Sequence, residues 1–159
     1  MAYYVFFYIF SGFLFFLNKL LKSNLYLYFL LFFAFLFSAL RYDAGYDFFN
    51  YLDLIQNEEN AGFQRLEFIN KLIITYSRKF EFSQLYYIVT SFFYILFMAL
   101  GFKQAKNFNV ITISSMLFFI GSYLTAFDII RQMVSVAIIF YATLLYINKK
   151  FFLVFYCFF

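Results

Sequence analysis

Apolar residues run along this chain in long blocks, broken by a few short polar gaps and one long polar stretch. The first block is Ala2–Leu17, followed by the gap Asn18–Asn24. The second, Leu25–Leu40, ends at Arg41. A polar stretch from Arg41 to Gln84 separates it from a third block, Leu85–Phe102, and a fourth, Phe108–Phe127. A fifth, Ile129–Ile147, follows with only Asp128 between, and a sixth opens at Phe151 and stops at Phe159. At about 1.5 Å rise per residue the full blocks make helices of about 24–30 Å, close to the roughly 30 Å of a bilayer core. The pattern predicts an all-α, polytopic transmembrane bundle of five full membrane helices and a partial sixth. It forms a single transmembrane domain over 1–159, with 41–84 as a loop outside the membrane. A sixth block of about 14 Å ends inside a helix, so the chain reads as the N-terminal part of a longer membrane protein. No basic residue precedes Lys19 and no small-residue cleavage site follows the first block, so that block is expected to stay as a membrane helix.

Composition strengthens this reading. Of 159 residues, 66% are apolar and 13% charged, against about 25% charged in an ordinary soluble domain; mean hydropathy is +0.82. The absence of proline argues against helices broken in the manner of many transporters. Without tryptophan, the interfacial belt falls to tyrosines such as Tyr3, Tyr4, Tyr8, Tyr26 and Tyr28. The 31 phenylalanines are expected chiefly to face lipid. With no histidine and only Cys157, neither a Ser-His-Asp triad nor a His- or thiolate-ligated metal site is available. No P-loop and no Gly-rich dinucleotide fingerprint is present.

The net charge of +4 does not mark a nucleic-acid partner, because of where the charges lie. Lys19, Lys22, Lys103, Lys106, Lys149 and Lys150 fall in three gaps that contain no acid, the pattern of cytoplasmic loops. This orientation puts the N-terminus, the 41–84 loop and Asp128/Arg131 outside, together with all eight acidic residues.

Within the loop, Phe63–Phe82 sets Leu66, Ile69, Ile73, Tyr76 and Phe80 at helical spacing against Arg65, Glu67, Lys71, Arg78 and Lys79. This predicts an amphipathic helix lying on the outer leaflet or over the bundle mouth. Upstream, a helix from Asp47 to Leu54 would bring Asp47, Asn50 and Tyr51 to one face, with Gly45 allowing the turn before it. Arg41 leaves the second membrane helix at the surface; pairing with Asp43 or a lipid phosphate is the plainer reading of it. Arg131 and Gln132 open the fifth block with almost no loop before them. An arginine there faces a bundle interior or wet cavity, unless it snorkels to headgroups or pairs with Asp128. Arg41 and Arg131, both at external helix ends, suit an anionic, lipid-anchored substrate, since guanidinium binds phosphate oxygens in bidentate fashion.

Arg41-x-x-x-Gly45-x-Asp47-Phe48-x-x-Tyr51, then Glu59-x-x-Gly62-Phe63, then Arg131-Gln132 at the start of a membrane helix, resemble the EpsG family of Wzy-like bacterial membrane proteins of exopolysaccharide and capsule synthesis. The resemblance covers about residues 30–150, the first half of a family whose members have ten or more membrane helices. It implies a polymerase that joins polyprenyl-diphosphate-linked oligosaccharide repeat units at the outer face of the cytoplasmic membrane. Arg41 and Arg131 would neutralise the leaving diphosphate, Asp43 or Asp47 would act as general base, and Tyr51, Glu59 and Gln132 would hold the sugars. No metal or other cofactor is required, and the implied partners are the bilayer, the lipid-linked oligosaccharide and other polysaccharide-synthesis membrane proteins. The competing readings are a non-catalytic or transport-associated component of polysaccharide export, and a truncated inactive product.

Overall fold

The computed structural model describes residues 2–21, 23, 25–41, 47–57, 61–104, 108–123 and 130–148. Among them every regular element is helical. The five apolar blocks become α1 (Ala2–Leu21), α2 (Leu25–Ala39), α5 (Gln84–Gln104), α6 (Phe108–Leu117) and α7 (Ile130–Ile147), while the polar stretch folds into α3 (Asp47–Gln56) and α4 (Phe68–Lys79). Among the described residues one helix, α5, is long and apolar enough to cross a membrane; Val5–Leu21, Leu25–Ala39 and Gln132–Ile147 are shorter apolar helices. The partial sixth helix falls outside the described residues.

Several features differ from the expectation. Helix α1 continues through Asn18 to Leu21 rather than ending at Leu17. Buried Asn18 donates from Nδ2 to Thr112 Oγ1 of α6 at 3.2 Å, a tertiary bond that keeps a polar residue inside the bundle. The amphipathic segment begins as a 3₁₀ turn, Ala61–Arg65, and is α-helical only from Phe68. Helix α6, although free of proline, is interrupted: Phe118–Ser122 forms a π turn, closed by Tyr123 N–H to Phe118 C=O at 2.9 Å. The extra residue per turn re-registers the helix, and Phe118, Phe119 and Tyr123 all come to face the core.

Two apolar cores result. The larger joins α1 (Phe7, Leu14), α2 (Leu30, Ala34), α5 (Tyr94, Met98), α6 with its π turn and Ala137 of α7. Phenylalanine is therefore not only lipid-facing filler. On α1, Phe7 and Phe15 are buried while Phe6, Phe13 and Phe16 are exposed, as a 3.6-residue period dictates. Phe7 stacks on Tyr123 (centroids 4.7 Å apart) and on Phe37 (5.1 Å), contacts that add to simple area burial. Between α5 and α7 the close approach depends on Gly101, where a Cβ would overlap the Phe140 ring; small residues at helix crossings serve this purpose in membrane bundles.

The smaller core packs α3 (Phe48, Tyr51, Leu54, Ile55) and α4 (Ile73, Ile74) on Tyr86 and Tyr87 of α5. Arg78 of α4, expected on a solvated face, instead caps α3. Its Nη2 donates to the carbonyls of Leu54 (2.5 Å) and Asn57 (3.1 Å), and its Nε to that of Ile55 (3.2 Å), while the guanidinium lies 4.6 Å from the Phe63 ring centroid. The last carbonyls of a helix lack intrahelical donors and carry its negative pole, so a cation there satisfies both needs. Helix α4 itself ends in a Schellman turn, with Phe82 N–H to Ser77 C=O and Glu81 N–H to Arg78 C=O and Glu81 at φ 52°. Facing away from this core, Phe68, Ile69, Leu72, Tyr76 and Phe80 leave an exposed apolar stripe along α4.

Candidate functional site at the junction of α2, α3 and α5

Helix α2 is apolar on every side and stops where its sequence turns polar. Gln84, the first residue of α5, holds that end in place: its Nε2 donates to the carbonyls of Ala39 (2.7 Å) and Arg41 (2.9 Å). The clamp fixes the backbone of Arg41 against the top of α5. One turn deeper, the hydroxyls of Ser38 and Ser91 hydrogen-bond at 2.7 Å in the buried α2–α5 contact.

Arg41 is consequently buried, with 5% of its surface exposed, and its Nε and Nη2 are shut off from solvent. The guanidinium carbon lies 4.8 Å from the centroid of the Tyr87 ring, a cation–π contact that gains strength as water is excluded. Burial pulls the pKa of Arg41 below its ordinary value; Tyr87, Tyr86, Tyr123 and Asp47 act in the opposite direction. Even lowered, a guanidinium remains protonated at neutral pH. The junction therefore holds a permanent cation in a poorly solvated place, where its attraction for an oxyanion is screened less than at a wet surface.

Tyr87 links this cation to α3. Its hydroxyl donates to the Phe48 carbonyl at 2.7 Å, and its ring stacks on that of Phe48 with centroids 5.0 Å apart. Tyr86, edge-on to Tyr87, stacks on Tyr51 at 4.5 Å and donates to Asn70 Oδ1 of α4 at 3.2 Å. Asp47 opens α3, where a carboxylate complements the helix dipole. It is half-buried and close enough to Arg41 to raise that residue's pKa.

Of the residues singled out from the sequence, Arg41, Asp47 and Tyr51 thus meet at one junction. Tyr51 is 5% exposed, so its ring is a wall of the site. Asp43 and Glu59 lie outside the described residues. Arg131 and Gln132 occupy the first turn of α7; Gln132 is exposed, and only the backbone of Arg131 is described. The level of that turn follows from helix register. Asn148 Nδ2 donates to Gln104 C=O at 2.9 Å, tying the ends of α5 and α7, and Phe97 lies against Tyr141 higher up, so the two helices run parallel. Arg131 and Tyr87 stand equally many residues before those tied ends, which puts both about 25 Å above them.

Gln84, Tyr86, Tyr87 and Tyr123 escaped the sequence reading. Gln84 marked only the edge of the third apolar block, and the tyrosines look like further members of an interfacial belt. Paired tyrosines in the first turn of α5, two and three residues after a glutamine, were the available signal.

A protein-family model described as the EpsG family matches residues 24–159, most of the chain. Comparison with curated proteins and with solved structures gave no match.

Proposed function

The chain belongs to the EpsG family, a membership that supports a membrane protein of polysaccharide biosynthesis with polymerase-like function, and from it we propose the reaction and its residues. The protein joins oligosaccharide repeat units carried on polyprenyl diphosphate at the outer face of the bacterial cytoplasmic membrane. Its bundle has five membrane helices and an external 41–84 segment, with α4 seated on the outer leaflet through its Phe68–Phe80 stripe.

In this reaction an acceptor sugar hydroxyl attacks the anomeric carbon of the donor. The new C–O bond forms as the bond to diphosphate breaks, and the electron pair leaves with the lipid diphosphate. Arg41 neutralises the charge growing on that group, a contact stronger in the transition state than in the ground state. Arg131, at the same level by helix register, acts beside it. Asp47 takes the acceptor proton as general base, a role Asp43 shares as alternative. Tyr51, Glu59 and Gln132 line the path of the sugars. The observation that carries the proposal is the buried Arg41 guanidinium resting on Tyr87, with the Asp47 carboxylate near enough to act on its charge: a fixed cation within the field of a carboxylate, on the helix end expected to face outward.

The test is a deletion strain complemented with wild type, Arg41→Ala or Arg131→Ala, its lipid-linked and surface glycans resolved on a sizing gel. Deletion and both variants should replace the long ladder with single repeat units. An unchanged ladder in the deletion strain would sink the polymerase reading, and one in Arg41→Ala alone would remove Arg41 from the mechanism.

A further inference from the structure

Below the Arg41–Tyr87 contact, the same face of α5 continues with Ser91, Tyr94, Met98 and Phe102, at spacings of three or four residues that keep them in line. The lower part of this face borders a cavity of about 240 Å³ between α5, α6 and α7, walled by Tyr94, Met98, Phe118, Met133, Val136 and Phe140. Tyr94 stands seven residues below Tyr87, so the cavity begins about 10 Å beneath the cationic junction. Its wall is apolar, rich in aromatic rings and thioethers. It includes two hydroxyl-bearing residues, Tyr94 and Ser114; the Tyr94 hydroxyl is buried and makes no hydrogen bond.

We propose that this cavity holds the first isoprenoid units of the lipid whose diphosphate lies at Arg41. The inference rests on the reading of Arg41 as the diphosphate-binding residue, and deepens it by assigning a place to the chain. Three features select the occupant. Charge complementarity fixes an anionic headgroup at the top, and α5 carries both the ring under that cation and, about 10 Å lower, a wall of the cavity. Size fits as well: an apolar cavity of about 150 Å³ binds six-carbon benzene, so 240 Å³ accommodates about ten carbons, or two isoprene units. Chemistry favours an unsaturated chain over a saturated one. Aromatic faces and methionine sulfurs are polarisable partners for double bonds, and an alkene π bond is a weak acceptor for the Tyr94 hydroxyl where a saturated chain offers none.

The experiment uses the full chain in native membranes and two photoreactive probes, an isoprenoid diphosphate and a saturated alkyl diphosphate of equal carbon number, each with a diazirine near the headgroup end. Labelled peptides are mapped by mass spectrometry in wild type, Val136→Trp and Ile139→Trp. Val136 and Ile139 are equally exposed, at 53% and 54%, but only Val136 borders the cavity, so both variants should fold alike. The isoprenoid probe is expected to label the segments carrying Met98 and Met133, at least fivefold more than the saturated probe. Labelling should drop at least tenfold in Val136→Trp, persist in Ile139→Trp and disappear in Arg41→Ala. Equal labelling by both probes, insensitivity to Val136→Trp, or labelling of the cavity that survives Arg41→Ala would each overturn the assignment. The polymer ladder is read separately: a ladder that depends on Arg41 while label falls outside the cavity refutes the chain site and leaves the polymerase reading standing.

Discussion

Replacing Arg78 with Ala should loosen α3, the helix that carries Asp47 and Tyr51, without disturbing the larger core. The guanidinium makes hydrogen bonds to three carbonyls at the end of α3 and a cation–π contact to Phe63. A charged hydrogen bond contributes about 1.5–3 kcal/mol when well buried, the helix-end charge about 0.3–1 and an exposed cation–π contact about 0.5–1. Two of the hydrogen bonds are partly buried and one is exposed, so the sum is best discounted to about 2–3 kcal/mol. At 1.36 kcal/mol per factor of ten, that is a roughly 30–150-fold rise in the opening equilibrium of α3. Hydrogen exchange on the detergent-solubilised protein reads this directly: α3 amides should exchange faster by that factor while those of α5 near Tyr94 keep their rates. Arg78→Lys retains the charge but not the planar fork, and should recover less than half of the protection. Unchanged α3 exchange in Arg78→Ala, or full rescue by lysine, would show that the cap does not hold α3.

Other consequences can be checked on the same protein. Gly101→Ala should lower thermal stability by about 1–3 kcal/mol through overlap with Phe140, and Phe140→Leu in the same chain should restore part of the loss; additive effects would contradict the contact. Tyr94→Phe, which deletes a buried hydroxyl lacking a hydrogen bond, should be neutral or stabilising by about 1 kcal/mol in a melting experiment. Tyr87→Phe keeps the ring under Arg41 and should preserve most of the glycan ladder, whereas Tyr87→Leu should abolish it at equal membrane abundance; equal ladders would deny the ring a role in setting Arg41. Glu81→Gly relieves a left-handed φ of 52° and should stabilise by about 0.5–1 kcal/mol, since the strain of roughly 1–2 kcal/mol exceeds the entropic cost of glycine.

The helical elements and their order were already legible in the sequence, because a long apolar run must satisfy its backbone groups within itself and the polar stretch repeats its apolar residues at helical spacing. The sequence also marked Arg41, Asp47 and Tyr51 as a group, since they lie within a few turns of one another and α3 forms where the spacing predicts. What it left undecided were contacts between residues far apart along the chain. Asn18 extends α1 because Thr112 receives it; Arg78 belongs to the end of α3 because α4 folds back beside it; Tyr87 becomes the bed of Arg41 because Gln84 pins the α2 terminus to α5. In each case a polar side chain finds its partner only when two helices meet. Hydropathy along the chain registers the cost of burying such a group, but the hydrogen bond that offsets the cost exists only in the packed structure.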